Sequence, residues 1–192
     1  MRQGPMKEIL MRPLVLLFLL PTAAVAQPRM IEPWQVIASI TADWNDDGLQ
    51  DRAVLYQIPD DTSASLVLYL GDSDTYDLRE AAFAPEIVWS GEMWGQRPEM
   101  MLLENNSLQL RSMNESIGRN RWHETLTIAY RGKRFVVAGY TFASYDTLDL
   151  DAGGVCDVNF LSGRAEVAPV TGSPLTLNVA AGAVAFEDWN RD

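Results

Sequence analysis

The segment ADWNDDGLQDRAVL, residues 42–55, sets Asp43, Asn45, Asp47 and Asp51 at alternating places around Gly48, directly ahead of an apolar run. Alternate side chains of a loop can point inward together. A hard cation such as calcium takes about six to eight oxygens at roughly 2.3–2.6 Å, so a loop of this spacing is suited to hold one. Gly48 permits the sharp turn. Leu49 would lend its backbone carbonyl, which lets its side chain be apolar, and Asp46 would face outward. Three carboxylates and an amide this close repel one another unless a cation neutralises them. The competing reading is an Asx-rich turn that orders itself without metal. A fully caged ion keeps few positions open for a substrate, so the expected role of the calcium is to brace the fold.

Counted from Asp43, the opening matches an EF-hand, but that loop needs a bidentate glutamate at its twelfth position and a helix after it. Val54 stands there instead, and the segment runs on into AVLYQI, a strand pattern. The loop resembles the D-x-[DN]-x-D-G-x-x-D loop of the FG-GAP and VCBS repeat families, found in integrin-like propellers, where a strand follows. That resemblance implies Asp43, Asn45, Asp47, Leu49 and Asp51 as calcium ligands. It covers about fourteen residues and only one copy of the loop is present, whereas a propeller needs at least four blades of four strands. The segments LTIAYRGKRFVVAGYTFASYDTLD and CDVNFLSGRAEV are also similar to a pattern in uncharacterised exported bacterial proteins, a family with no established activity.

Other residues offer weaker chemistry. His123 is the only histidine, and no G-x-S-x-G or comparable frame accompanies it, so it reads as a surface or satisfied strand residue. One histidine and one cysteine cannot build the usual zinc ligand sets. Asp146, Asp149 and Asp151 cluster ahead of Gly153 and Gly154. They could supply a second cation site or a carboxylate pair for hydrolysis of an envelope glycan; the plainer reading is a solvated acidic loop. Tryptophans at 34, 44, 89, 94, 122 and 189 could form core or a carbohydrate-binding face. Trp89 and Trp94, in the glycine-bounded WSGEMWGQRP, are the best candidates for ligand contact. Cys156 is alone, so it makes no internal disulfide and reads as a small buried side chain.

The elements that must position these residues are strands. In WHETLTIAY, Trp122, Leu126, Ile128 and Tyr130 share one face and His123, Thr125 and Thr127 the other. Residues 122–142 form a hairpin turning at Gly132. AVLYQI and ASLVLYL flank the turn PDDTS, EMMLL and SLQLRSM flank ENNS, and VCDVNFL and AEVAPV flank SGR. DLREAAFA could form a turn or two of helix before Pro85, and the tail LTLNVAAGAVAFEDW could form a strand or cover the core, with Trp189 packing down. About eight short strands at even spacing predict a mainly β single domain of antiparallel strands and hairpins, meander-like or sandwich-like, and not a full propeller.

Residues 1–26 read as a signal peptide. Arg2, Lys7 and Arg12 precede LVLLFLL, and Ala24 and Ala26 supply the small residues for cleavage after Ala26. The apolar run is far shorter than the roughly 20 residues that span a bilayer. Cleavage would take the 15 basic and 26 acidic residues to 12 and 25, a formal charge of −13 on residues 27–192. Such a charge disfavours nucleic acid and anionic lipid as partners. The expectation is a periplasmic or secreted non-catalytic β domain, residues 27–192, that carries one calcium, stays out of the membrane after cleavage, and binds a protein or glycan partner of the cell envelope.

Overall fold

A computed structural model describes residues 29–189. The signal-peptide reading therefore lies outside the described residues. The chain folds as two antiparallel sheets with no closed barrel, the mainly β single-domain architecture that the alternation predicts. In the first sheet β1 (Val36–Ala42), β2 (Asp51–Tyr56), β3 (Ser63–Gly71) and β4 (Leu78–Trp89) lie in chain order. The second continues as a meander of β5 (Glu99–Leu102), β6 (Leu108–Asn114), β7 (Asn120–Arg131), β8 (Arg134–Asp146), β9 (Gly153–Asn159), β10 (Arg164–Pro169) and β11 (Leu175–Asn178). A short β12 (Val184–Ala185) returns to pair with Val136 and Val137 of β8.

Period-two alternation builds the core. Ala53 and Leu55 of β2, Leu66 and Leu68 of β3, Leu108 and Leu110 of β6, and Leu126 and Ile128 of β7 point between the sheets and are almost wholly buried. The tail contributes Phe186, which has no exposed surface, and Trp189, which packs on Tyr140 and Phe160 at 5.5 and 5.8 Å between ring centroids. The other face of the first sheet carries Phe83, whose ring lies under the Arg29 guanidinium at 3.4 Å.

Turn chemistry sets the register. Gly132 and Lys133 both take positive φ, 58° and 66°, between the paired Arg131 and Arg134. That is the two-residue turn whose twist matches the flanking strands. Two expectations are corrected. DLREAAFA is strand, not helix: from Leu78 on it lies in β4, where Ala82 and Ala84 face the core and Pro85 is tolerated because β4 is an edge strand. The strands number twelve among the described residues and not about eight, because β1, β4 and the tail's β11 and β12 add pairings that weakly alternating segments conceal. Among the described residues no helix is long and apolar enough to cross a membrane.

Candidate functional site

The acidic loop joins the end of β1 to the start of β2, and its first half is ordered by its own side chains. Asp43 accepts the amides of Asp47 and Gly48, at 3.1 Å on Oδ1 and 2.9 Å on Oδ2. Asn45 Oδ1 also accepts Asp47 N at 3.2 Å, and Asp47 Oδ1 accepts Leu49 N at 2.8 Å. Asn45 Nδ2 donates to Asp47 Oδ2 at 2.8 Å. Asp46 and Gly48 take φ of 57° and 84°, and Asp46 is exposed, as its outward assignment requires. A Cβ on Gly48 would meet nothing within 4 Å, so glycine serves the backbone conformation there, not a lack of space.

Asp51 differs from the rest of the loop. It is fully buried, and its two oxygens accept Gly71 N at 2.9 Å and Trp44 N at 2.8 Å, tying the loop to both the neighbouring strand and itself. Trp44 is buried edge-on against Phe135, 5.8 Å between centroids, so the loop is pinned to the core beside its last carboxylate. Burial pushes the Asp51 carboxyl above its ordinary range. The two amides oppose that shift, and the nearby negative charges of Asp47 and Asp43 add to it. From outside the loop, the Asn106 side-chain amide donates to the Asp43 carbonyl.

The fold thus gathers Asp43, Asn45, Asp47 and Asp51 into one turn, with Leu49 half-buried between them. Among the described residues no three acidic, histidine or cysteine side chains converge as a ready-made metal cage. The loop carboxylates accept backbone amides, and Asp47 Oδ2 also accepts the Asn45 side-chain amide.

The 146–151 loop has a different purpose. Asp146 Oδ2 accepts Arg119 Nε at 2.6 Å, and Oδ1 accepts the amides of Leu148 and Asp149 at 2.8 and 3.1 Å. The Arg119 hydrogen bond, then the Leu148 amide, hold this carboxyl below its usual range. Asp149 Oδ1 accepts Asp151 N at 3.3 Å. Asp146 is an ionised cap of the β8–β9 turn, unsuited to donate a proton, and Asp149 and Asp151 are exposed. This geometry gives the hydrolase reading no support.

His123 sits on the polar face of β7, with Nε2 against Glu115 Oε1, while Tyr145 Oη donates to Glu115 Oε2 at 2.7 Å. The Tyr145 hydrogen bond, with a smaller contribution from His123, lowers the Glu115 carboxyl. His123 of β7 and Tyr145 of β8 both meet the carboxylate of Glu115, just past the end of β6, so His123 is the satisfied strand histidine expected. Cys156 is free and half-buried in β9.

The structure places Trp89 and Trp94 in different surroundings. Trp89 is half-buried at the end of β4 and packs edge-on against Trp122 at 5.5 Å, and Trp122 in turn stacks on Phe142 at 6.3 Å. Trp94 is 93 % exposed with its carbonyl accepting Ser116 Oγ. The strand pairing takes Trp89 into the gap between the sheets while the loop carries Trp94 outward.

The sequence reading missed a cleft of about 370 Å³ at the opposite end of the β1–β2 pair, lined by Trp34, Ile58, Asp60, Asp61, Glu92 and Arg97, among others. Its walls come from segments far apart in the chain, so no local spacing could announce it; the only sequence signal was a tryptophan outside any alternating run. Comparisons with protein-family profiles, curated proteins and solved structures return no match for this chain.

Proposed function

We propose that this chain is an exported, non-catalytic β domain braced by one calcium ion in the 43–51 loop, acting as a binding module for a protein or glycan partner of the cell envelope. The observation that carries the calcium is Asp51. A carboxylate with no exposed surface, beside Asp43 and Asp47, has only two amides as partners among the described residues. Burying such a charge without a counter-charge is costly. A divalent cation at the mouth of the loop would neutralise all three carboxylates, with Asn45 and the Leu49 carbonyl completing an oxygen set of the kind calcium prefers. The export reading rests on residues 1–26 and would put the domain in the periplasm or outside the cell, where calcium is available at the affinity such modules have.

Extracellular modules bind calcium with dissociation constants of about 10⁻⁴–10⁻³ M, so a tenfold excess of the ion stabilises the fold by about 1.4 kcal/mol. For a domain of this size that raises Tm by about 3–5 °C. The test is thermal unfolding of the mature chain in millimolar calcium and in chelator. The rise should appear in the parent and vanish in Asp47→Ala; equal melting of the parent in both conditions would remove the calcium from this reading.

A further inference from the structure

We infer that the cleft at the Gln35–Gln57 end of the β1–β2 pair is a binding subsite for a neutral oligosaccharide, with the Trp34 indole as its stacking platform. This deepens the binding-module reading and rests on it. The calcium loop lies at the other end of the same two strands, so the two claims can fail separately.

Three segments enclose the cleft, and hydrogen bonds hold them together before any ligand arrives. Gln57 N donates to Gln35 O at 3.0 Å, joining the turn that carries Trp34 to the end of β2. The Gln57 side chain then joins the remaining two. Its Nε2 donates to the Asp61 carbonyl, and its Oε1 accepts Oγ of the buried Ser90 at 2.8 Å. Ser90 N donates to Thr62 O at 2.9 Å, and the 91–96 loop closes on itself through Gly91 N to Gln96 O at 3.2 Å and Met93 N to Gln96 Oε1 at 3.1 Å. A concave site whose walls are cross-tied in this way loses little entropy on binding.

The chemistry of the walls selects the ligand class. Trp34 is 67 % exposed on the wall of the cleft, beside the half-exposed Ile58. An open indole next to an aliphatic side chain suits the C–H face of a sugar ring. Around it stand Asp60, Asp61 and Glu92 against one arginine, Arg97, which makes no ion pair among the described residues. Asp60 is held in left-handed backbone at φ 64°, and Asp61 uses Oδ1 for Ser63 N at 3.3 Å. An excess of carboxylates on a chain of net charge −11 repels uronates and phosphates. Carboxylates are acceptors only, and hydroxyl groups are the donors that match them without bringing charge. A cleft of about 370 Å³ falls in the range of small-ligand sites and holds a short oligosaccharide, not an extended chain. Trp94 is still more exposed but lies outside this cleft, so it provides an internal control.

The experiment is calorimetric titration of the calcium-loaded mature chain with cellotriose and with chitotriose, each followed by intrinsic tryptophan fluorescence. At least one probe should bind saturably, Trp34→Ala should weaken that binding about tenfold or more, and Trp94→Ala should leave it within about twofold. Trp34→Phe keeps an aromatic platform and should lose less affinity than Trp34→Ala, which separates a lost contact from a damaged fold; melting curves of each variant give the same check. No saturable binding of either probe overturns the subsite, as does binding that Trp34→Ala leaves unchanged or that Trp94→Ala weakens equally. A chain that melts higher in calcium yet binds neither sugar would refute the cleft and keep the brace.

Discussion

Asp51 and Asp47 belong to one loop but have separable roles, and single substitutions can tell them apart. Asp51→Ala leaves the buried amide of Trp44 and the half-buried amide of Gly71 without their acceptor. Each orphaned donor costs about 1–3 kcal/mol, so this variant should be destabilised by roughly 2–6 kcal/mol in urea titrations even in chelator. Asp47 is exposed and bonds only within the loop, so Asp47→Ala in chelator should cost well under half as much, and its main effect should be on the calcium response. Comparable losses for the two in chelator would contradict this division. Asp146 gives a second residue-scale test, through pH. Its carboxyl lies below the ordinary 3.8 in the folded chain because of Arg119 and the Leu148 amide. A depressed carboxyl stabilises the fold above its unfolded value and gives up that contribution as pH falls through the folded one. Asp146→Asn should therefore lower stability at neutral pH and flatten the loss on acidification below 3.8; an unchanged acid limb of the stability curve would show that the Arg119 contact is energetically idle.

Among the elements, the β7–β8 hairpin and the β8–β9 pair show two different uses of glycine. At Gly132 an added Cβ meets nothing within 4 Å, so Gly132→Ala should cost only the left-handed conformation, about 1–2 kcal/mol. At Gly153 the added atom would lie 2.2 Å from the Ser144 carbonyl oxygen of β8, so the paired backbones themselves must separate. Gly153→Ala should be the more damaging of the two by denaturant titration, and the reverse order would refute the register of β9 on β8. The Gly132 turn was legible from sequence because a two-residue connection between alternating runs is local information. The strand at DLREAAFA was hidden because its helix-forming residues and its alternation conflict, and only pairing with β3 decides between them. Elements also differ in how firmly they are held: all four residues of β11 are exposed and pair only with β10, whereas β3 and β7 are bonded on both sides and carry the core. Native-state hydrogen exchange should release β11 first and β3 and β7 last; strong protection of Leu175–Asn178 would mean that something covers that edge.

For the whole molecule, what sequence could and could not reveal follows from the range of the interactions. The all-β class and the hairpins were readable because alternation and turn residues act over a few positions, and the acidic loop because its oxygens lie within nine residues. The partition into two sheets, the separation of Trp89 from Trp94, and the cleft around Trp34 all depend on contacts between distant segments, which one sequence does not encode in any local spacing. The tail is the clearest case: its small, weakly alternating residues leave open whether it forms a strand or covers the core, and it does both, pairing β12 to β8 and carrying Phe186 into the interior. The short turn Phe186–Asp188 lies against both β4 and β8 and so bridges the two sheets, with the buried Phe186 in the shared core. Truncation of a fully buried phenylalanine costs about 3–5 kcal/mol. Phe186→Ala should therefore destabilise the domain by that amount, and because the cavity opens between the sheets, their unfolding should stay a single transition with a lowered midpoint. A loss under about 1 kcal/mol would show that the tail is only docked on a core already closed without it.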